Sequence, residues 1–308
     1  MTEHNDNQII VSISCITYNH APYIRQCLDG FMMQQTDFAY EVLIHDDAST
    51  DGTTEIIKEY ETKYPDIIKP IYEEENQWVK GRKGSAVFNF PRAKGKYIAL
   101  CEGDDYWTDP LKLQKQVDFL EDNHNYVMCS HNYDYYYQNT GCLDKVKEDN
   151  DQIYSFEYLI KGGWLFHPLT VVFRRSAMSL TQLNAYSNMM DAVLFYHLLQ
   201  RGDGYYMGRN MAVYRIHNGG VWSGIDRAHR LLTEYKARLA IYDVDKSEPA
   251  AQFLLTQFTK ESSRKWLLKQ YQMIIRVLLI INKHFGLKLT MKIIFDKMIL
   301  GKNYRYSD

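Results

Sequence analysis

Three carboxylates lie within four residues at positions 102–105, directly after the apolar run YIAL. They are Glu102, Asp104 and Asp105. Like charges this close repel one another strongly unless a cation or a shared proton offsets the repulsion. Carboxylate oxygens are preferred ligands of Mg²⁺ and suit Mn²⁺ as well. The spacing therefore indicates a divalent metal, and a phosphate is the anion that such a metal would bridge.

The same residues also fit a solvent-exposed turn followed by a helix cap. Asp109 is predicted to cap the next helix, with Pro110 at its first position. A second acidic pair, Asp46 and Asp47, follows another apolar run at 42–44. Because two acidic clusters both follow strand-like runs, the metal-site interpretation is favoured over the simple turn.

The segments that would position these acids alternate between strand and helix patterns. The chain contains four strand-like runs, at 9–16, 42–44, 67–72 and 96–101. The segments between them have apolar residues at helical spacing. This alternation predicts a parallel sheet covered by helices. Ligands of such sheets bind outside the carboxyl ends of the strands. Thr17, Tyr18 and Asn19 follow the first strand, so we expect them to lie beside the acids.

The second half of the chain is more mixed. Residues 132–152 are predicted to form a loop or hairpin, residues 169–175 and 205–217 to form strands, and residues beyond 226 to be helical. The predicted fold class is α/β: a Rossmann-like mixed, mainly parallel sheet flanked by helices, with a helical C-terminal appendage. We expect one domain over 1–225, divided at 131, and a helical region over 226–308.

Composition narrows the class of protein. The 308 residues are 45% hydrophobic and 24% charged, as in a globular protein, and the net charge of -2 gives no bulk attraction to nucleic acid. The five cysteines include no CxxC pair, so we expect reduced core thiols. The first nine residues, MTEHNDNQI, are polar and no window predicts a spanning helix, so a cytoplasmic location is expected.

The C-terminal segment at 264–300 combines Trp, Leu, Ile and Phe with regularly spaced Lys and Arg. A basic amphipathic helix fits a membrane surface. It equally fits an ordinary packing helix, because apolar stripes at helical spacing are normally core. Peripheral contact with the inner face of the cell membrane is therefore one of two interpretations.

Three ordered motifs carry a resemblance to a known family. They are VSISCITYNHAPYIRQCLDGFMMQQ, then YEVLIHDDASTDGT, then AKGKYIALCEGDDYWTDPLKLQKQVDFLE, and together they lie within residues 10–121. They resemble the nucleotide-binding half of a family 2 glycosyltransferase with the glycosyltransferase A fold. Two later segments, NMMDAVLFYHLLQRG and YRIHNGGVWSG, are similar to motifs of bacterial members that build surface polysaccharides. On this basis residues 9–131 would bind the nucleotide-sugar and 132–225 the acceptor.

The resemblance implies an inverting, metal-dependent transfer of a sugar from a nucleoside diphosphate donor, with UDP the expected nucleotide. The acceptor would be a hydroxyl of a glycan or a lipid-linked glycan. Mn²⁺ or Mg²⁺ would be the cofactor. Two alternatives remain open: a sugar nucleotidyltransferase, and a non-catalytic scaffold that binds nucleotide-sugars.

The resemblance also assigns roles in the donor half. Thr17, Tyr18 and Asn19 would bind the nucleotide, with Tyr18 and Asp47 at the nucleobase. Asp104 would lie near the ribose. Asp105 would be the metal ligand, as the final acid of the family's DXD-type motif. Glu102 takes the first position of that motif, where Asp is more usual, and would contact the donor.

In the acceptor half, the resemblance places Asp191 at the position of the family's catalytic base. The alternative is that Asp191 is simply an acid at a helix N-terminus, where the helix dipole favours negative charge. His217 is a second candidate metal ligand and Arg215 a candidate donor or acceptor contact. Trp107 and Trp222 could stack on a sugar, but aromatic residues near turns are as often part of the core edge.

Overall fold

The computed structural model describes residues 8–81, 84–164, 166–187, 189–220 and 227–261, together with 279, 282, 283 and 286. The chain divides into two compact units. The first comprises Met1–Ser155, Leu165–Asn184 and Leu194–Gly224. The second comprises Phe156–Trp164, Ala185–Val193 and Ile225–Asp308.

The first unit is built on a sheet of ten strands in the described residues. Their bounds are β1 Ile9–Thr17, β2 Ala39–Asp46, β3 Ile68–Tyr72, β4 Tyr97–Leu100, β5 Tyr106–Trp107, β6 Tyr126–Tyr137, β7 Cys142–Asp144, β8 Gln152–Tyr154, β9 Val172–Arg174 and β10 Asp203–Ile216. The strand order is β3-β2-β1-β4-β9-β6-β10-β5, with β7 on β6 and β8 on β10.

The sheet is parallel where the nucleotide-binding half was predicted. Strands β1 to β4 pair in parallel, and so do β6 and β10. β9 is antiparallel to both β4 and β6, and it joins the two parallel parts. This arrangement confirms the predicted mixed, mainly parallel α/β sheet with helices.

The described residues form nine α-helices. Their bounds are α1 Ile24–Met32, α2 Thr53–Lys63, α3 Ser85–Phe88, α4 Lys112–Asp122, α5 Phe156–Ile160, α6 Leu180–Leu183, α7 Asp191–Leu199, α8 Arg227–Val244 and α9 Glu248–Glu261. Buried apolar side chains recur at helical spacing on α4, at Leu113, Val117 and Leu120. They pack into one cluster with the buried faces of β1, β2 and β4.

The described helices α5, α8 and α9 belong to the second unit. α5 and α9 are in contact, and so are α8 and α9. The guanidinium of Arg238 on α8 donates to the Phe253 carbonyl at 3.1 Å and to Thr256 Oγ1 at 2.6 Å on α9. The buried guanidinium of Arg238 thus has two oxygen acceptors on the neighbouring helix, as a buried charged group requires.

Some local predictions were wrong at their ends. α4 begins at Lys112 rather than Pro110, because Asp109 Oδ1 accepts from the Leu111 N–H at 2.8 Å in a short turn before the helix. The strand predicted at 169–175 is only β9, because Pro168–Thr170 form a 3-10 helix. Cys142 is exposed, unlike the four buried thiols. The predicted hairpin at 132–152 is confirmed by the antiparallel pairing of β6 and β7.

None of the described helices is long and apolar enough to span a bilayer.

Candidate functional site

The acidic loop, defined as residues 102–105, begins two residues after the end of β4 and packs tightly against the end of β1. The Gly103 N–H donates to the Ile16 carbonyl at 3.0 Å. A Cβ on Gly103 would lie 2.7 Å from Thr17 Oγ1 and 2.9 Å from Ile24 Cδ1. The glycine between the acids is therefore required by close packing, which brings the loop against Thr17.

Strand pairing then brings β10 alongside the acidic loop. β5 follows the loop directly and is antiparallel to β10, with Tyr106 opposite Val213. The next residues of β10 consequently lie beside the acids. The Arg215 N–H donates to Asp105 Oδ1 at 2.8 Å, and Arg215 Nε donates to the Asp104 carbonyl at 2.8 Å.

Two histidines face the carboxylate of Asp104. His217 Nε2 lies 3.0 Å from Asp104 Oδ2, and His20 Nε2 lies 3.8 Å from the same oxygen. Burial by itself would raise the pKa of Asp104, but the His217 hydrogen bond and the two imidazoles outweigh it, so this pKa is lowered. Burial lowers the pKa of His20, although Asp104 opposes that shift.

Asp105 has the opposite surroundings. The residue is 1% exposed, and its Oδ2 has no hydrogen-bond partner within the described part of the chain. Burial raises the pKa of Asp105 well above its ordinary value, and the neighbouring charges of Asp104 and Glu102 raise it further. Of the two neighbouring aspartates, Asp104 thus keeps its negative charge more readily than Asp105.

The ends of β1 and β2 complete this edge of the sheet. The Asp47 N–H donates to the Thr17 carbonyl at 3.0 Å. The Asp47 carboxylate accepts from the Gln77 N–H at 2.6 Å and the Trp78 N–H at 3.1 Å, so backbone amides hold it in place. The Tyr18 side chain is 45% exposed.

Asn19 lies in the left-handed region with φ 54°. Its Oδ1 accepts from the Thr50 N–H at 2.8 Å, and its own N–H donates to Ser49 Oγ at 2.9 Å. Asp46 also contacts this loop, because its Oδ1 accepts a hydrogen bond from Ser49 Oγ at 2.5 Å. The loops after β1 and β2 are therefore fixed to each other.

Two groups of three side chains place their ligand atoms within 4.8 Å of one another. The first is His20, Asp104 and His217, and the second is Glu102, Asp104 and Asp105. Carboxylate and imidazole atoms are donors that divalent metals accept. Asp104 Oδ1 is buried without a hydrogen-bond partner in the described residues, which also fits a missing cation.

This geometry agrees with a comparison of the sequence with known families. The family described as Glycosyl transferase family 2 matches residues 12–180, which is more than half of the chain. The chain belongs to family 2 of the glycosyltransferases. The predicted family is therefore confirmed.

Similar proteins occur in Mycobacterium tuberculosis and Escherichia coli. An uncharacterized protein of Mycobacterium tuberculosis is 38% identical over 214 residues, covering 69% of this chain and 60% of that protein. The match therefore spans less than two thirds of the mycobacterial protein. The Escherichia coli WfaP, named as a UDP-Glc:alpha-D-GlcNAc-diphosphoundecaprenol beta-1,3-glucosyltransferase, is 26% identical over 69% of this chain and 79% of its own length.

Solved structures share the fold of this family 2 chain at low identity. TarS of S. aureus, solved with UDP-GlcNAc, has a TM-score of 0.64 at 17% identity, covering 94% of this chain and 85% of the other. The mannosyltransferase PcManGT of Pyrobaculum calidifontis, solved with GDP-Man and Mn²⁺, has a TM-score of 0.54 at 16% identity, covering 96% and 88%. These similarities confirm the predicted fold.

Most of the family 2 site residues predicted from the sequence lie at this one edge. The acidic loop, Arg215 and His217 are in direct contact with one another. Thr17 connects them to Asp47 through its carbonyl and to Gly103 through close packing. Tyr18 and Asn19 follow in the same loop.

Two of the predicted donor or acceptor contacts have buried side chains that bond within the protein. Trp107 is 2% exposed, and its indole N–H donates to the Leu169 carbonyl at 2.9 Å, so it is a core residue. Arg215 is 5% exposed, and its guanidinium bonds to protein oxygens on Asp104, Gln26 and Gln138. The structure therefore makes Arg215 a residue that positions the acidic loop.

Two other predictions concern different parts of the chain. Asp191 is the first residue of α7 and belongs to the second unit, and its role as the base stays a prediction. Trp222 lies outside the described residues.

Sequence reasoning did not identify His20. The residue stands in the segment TYNHAPY, three positions after the end of β1. Its position in a polar loop after a strand was an available signal. Its pairing with Asp104 depends on a contact across 84 positions of the chain, which a local pattern does not reveal.

Proposed function

We propose that this protein transfers a sugar, with inversion, from a UDP-sugar to a hydroxyl of a glycan or lipid-linked glycan in the synthesis of a surface polysaccharide. The observation that carries the proposal is the Asp104–His217 pair at 3.0 Å, beside the ends of β1 and β2, in a family 2 chain. An edge of parallel strands is where a nucleotide is expected to bind.

The donor roles follow from the chemistry at this edge. Tyr18 is exposed and available to stack on a nucleobase. The Asp47 carboxylate is fixed by two backbone amides and can still accept from a uracil imide through its remaining lone pairs. A divalent ion bound at Asp104 and His217 would neutralise the charge that develops on the diphosphate leaving group.

The acceptor requires a base on the opposite face of the sugar. In an inverting displacement the acceptor oxygen forms a bond to the anomeric carbon while the bond to the β-phosphate oxygen breaks, and the hydroxyl proton passes to a base. We assign this proton to the Asp191 carboxylate at the beginning of α7. Burial raises the pKa of this carboxyl to about 6, which suits a general base.

Named relatives support the substrate classes. TarS was solved with UDP-GlcNAc, and the name of WfaP specifies UDP-Glc and a diphosphoundecaprenol-linked acceptor. PcManGT was solved with GDP-Man and Mn²⁺, so GDP-sugars belong in the same test.

The test is a panel of UDP- and GDP-sugars with Mn²⁺, in which release of nucleoside diphosphate is measured with and without glycan-lipid acceptors. Asp191→Asn should retain UDP binding and lose roughly 100-fold to 10,000-fold in turnover, the usual contribution of a general base. Asp104→Asn should lose both turnover and the Mn²⁺ dependence of UDP binding. Asp118→Asn replaces an exposed carboxylate on α4 and is the matched control, with unchanged turnover expected.

Two outcomes would contradict the proposal. Nucleotide binding without turnover on any donor would indicate a non-catalytic scaffold. Formation of a nucleotide-sugar from a nucleoside triphosphate and a sugar phosphate would indicate a nucleotidyltransferase.

A further inference from the structure

His20 is held rigidly on the loop between β1 and α1. Its N–H donates to Thr53 Oγ1 at 2.8 Å. Its carbonyl accepts from the N–H groups of Tyr23 and Ile24, both at 2.8 Å. The backbone is thus fixed on both sides of the residue, and the imidazole is held in position next to Asp104 before any ligand arrives.

The two imidazoles and one carboxylate have spacings suited to a single ion. Two atoms that are each about 2.1 Å from a metal and at right angles to one another are about 3 Å apart. The His217 Nε2 to Asp104 Oδ2 distance is 3.0 Å, and the His20 Nε2 to Asp104 Oδ2 distance is 3.8 Å. The His20 and His217 rings are 6.1 Å apart at 88°, so they approach the carboxylate from different directions.

The alternative group of three acids is less suited to an ion. It requires Asp105, whose Oδ1 already accepts from the Arg215 N–H and whose side chain belongs to a residue only 1% exposed. Asp104 is common to both groups, and its side chain is 15% exposed. Asp105 Oδ1 therefore connects the acidic loop to β10, and Asp104 is the acid of the loop that the two imidazoles face.

Donor type decides which ion such a site prefers. Mg²⁺ favours oxygen ligands and retains several of its waters. Imidazole nitrogens favour Mn²⁺ and the later first-row divalent ions over Mg²⁺. From this donor set we propose that His20 is a third ligand, beside Asp104 and His217, of the metal of this protein, and that His20 makes the site selective for Mn²⁺ over Mg²⁺. This inference rests on the proposed function only for the role of the ion in sugar transfer. Binding of the metal itself can be measured without a sugar donor.

The test measures metal binding to the full-length protein in the presence of UDP. We expect wild-type protein to bind Mn²⁺ at least about tenfold more tightly than Mg²⁺ in calorimetric titrations. His20→Asn should weaken Mn²⁺ binding by about 10-fold to 100-fold and reduce the preference over Mg²⁺. Asp105→Asn retains the acceptor for the Arg215 N–H and should change Mn²⁺ affinity by less than about threefold. His124→Asn, at an exposed histidine of the same unit, is the matched control.

A spectroscopic measurement makes the test independent of folding of the variants. Pulsed electron paramagnetic resonance of Mn²⁺ bound to wild-type protein should show nitrogen couplings from two imidazoles, and from one in His20→Asn. Couplings from fewer than two imidazoles in wild-type protein would overturn the inference. Loss of Mn²⁺ binding in Asp105→Asn together with retention in His20→Asn would overturn it too.

Failure of the inference and failure of the proposed function are separable. Two-imidazole Mn²⁺ binding without sugar transfer would leave the metal site standing and refute the transferase. Sugar transfer by a protein whose Mn²⁺ affinity is unaffected by His20→Asn would refute the metal inference alone.

Discussion

Asp104 and Asp105 are sequence neighbours whose side chains have opposite electrostatic surroundings. Asp104 faces two imidazoles, which hold its pKa down, whereas Asp105 is buried beside other carboxylates, which push its pKa up. Residues 103 and 104 form a turn in which the Asp105 N–H donates to the Glu102 carbonyl at 3.2 Å, and the two adjacent acids leave this turn into different environments. One acid therefore remains charged toward the ligand side while the other serves the packing of the loop.

Lys112 is a second buried charge near this loop. The residue is 0% exposed, its Nζ lies 4.0 Å from the centroid of the Trp107 ring, and it donates to Gln116 Oε1 at 2.7 Å. Burial lowers the pKa of Lys112 from 10.5 to about 7. Between about pH 7 and pH 10.5 the Lys112 amine therefore loses its proton when the protein folds.

This lowered pKa predicts a pH-dependent stability. Between pH 7 and 10.5 the unfolded state binds more protons at Lys112 than the folded state does, so the free energy of unfolding rises with pH. From pH 7 to pH 9 the gain should be about 2 kcal/mol. Lys112→Met should lack this gain, and Lys94→Met, at an exposed lysine, should retain it. Urea denaturation at the two pH values measures the difference, and equal pH dependence in wild type and Lys112→Met would contradict the prediction.

At the scale of elements, the site depends on one arginine that joins three segments. Arg215 on β10 donates to the Asp104 carbonyl in the acidic loop at 2.8 Å, to Gln26 Oε1 on α1 at 2.6 Å and to Gln138 Oε1 after β6 at 2.6 Å. The planar guanidinium satisfies all three acceptors at once, which a lysine ammonium on a flexible stem does not reproduce.

Arg215→Lys should therefore loosen the acidic loop while keeping the charge. Hydrogen bonds to charged groups contribute about 1.5–3 kcal/mol each, so we expect the free energy of unfolding to fall by about 3 kcal/mol. We also expect Mn²⁺-dependent UDP binding to weaken by about tenfold while binding of UDP alone changes little. Arg209→Lys, at an exposed arginine of the same strand, is the control. An unchanged metal dependence in Arg215→Lys would show that the arginine does not position the loop.

At the scale of the whole molecule, charge is unevenly distributed along the chain. The net charge is -2, yet residues 264–305 contain ten Lys or Arg and one acid, Asp296. Most of this segment lies outside the described residues. Peripheral membrane contact through it therefore stays a prediction from composition.

Vesicle flotation of the full-length protein tests that prediction. Each basic residue near an anionic surface contributes about 1 kcal/mol, so the protein should float with phosphatidylglycerol vesicles and much less with phosphatidylcholine vesicles. Glutamine at four tail positions should abolish most of the flotation: Lys265, Lys269, Arg276 and Lys283. Glutamine at four exposed lysines of the first unit should not: Lys58, Lys94, Lys145 and Lys147. Equal flotation of the two variants would favour a packing role for the tail.

Local patterns in the sequence determined the order and type of the main elements and placed acids after buried strands. Apolar runs and helical spacing report burial within one segment, which is why β1 to β4 and the acidic loop were predictable. The sequence also showed a glycine, Gly103, between two acids. It did not show that close packing against Thr17 and Ile24 requires a glycine at this position.

Only the tertiary structure decided which side chains meet at that edge. Insertion of the antiparallel β9 between β4 and β6, the pairing of β5 with β10 and the approach of His20 to Asp104 all join residues far apart in the chain. In the same region Trp107 is buried, with its indole N–H bonded to the Leu169 carbonyl. The guanidinium of Arg215 donates to a protein oxygen, Gln138 Oε1. Such contacts depend on the packing of the whole sheet, and no single stretch of sequence encodes them.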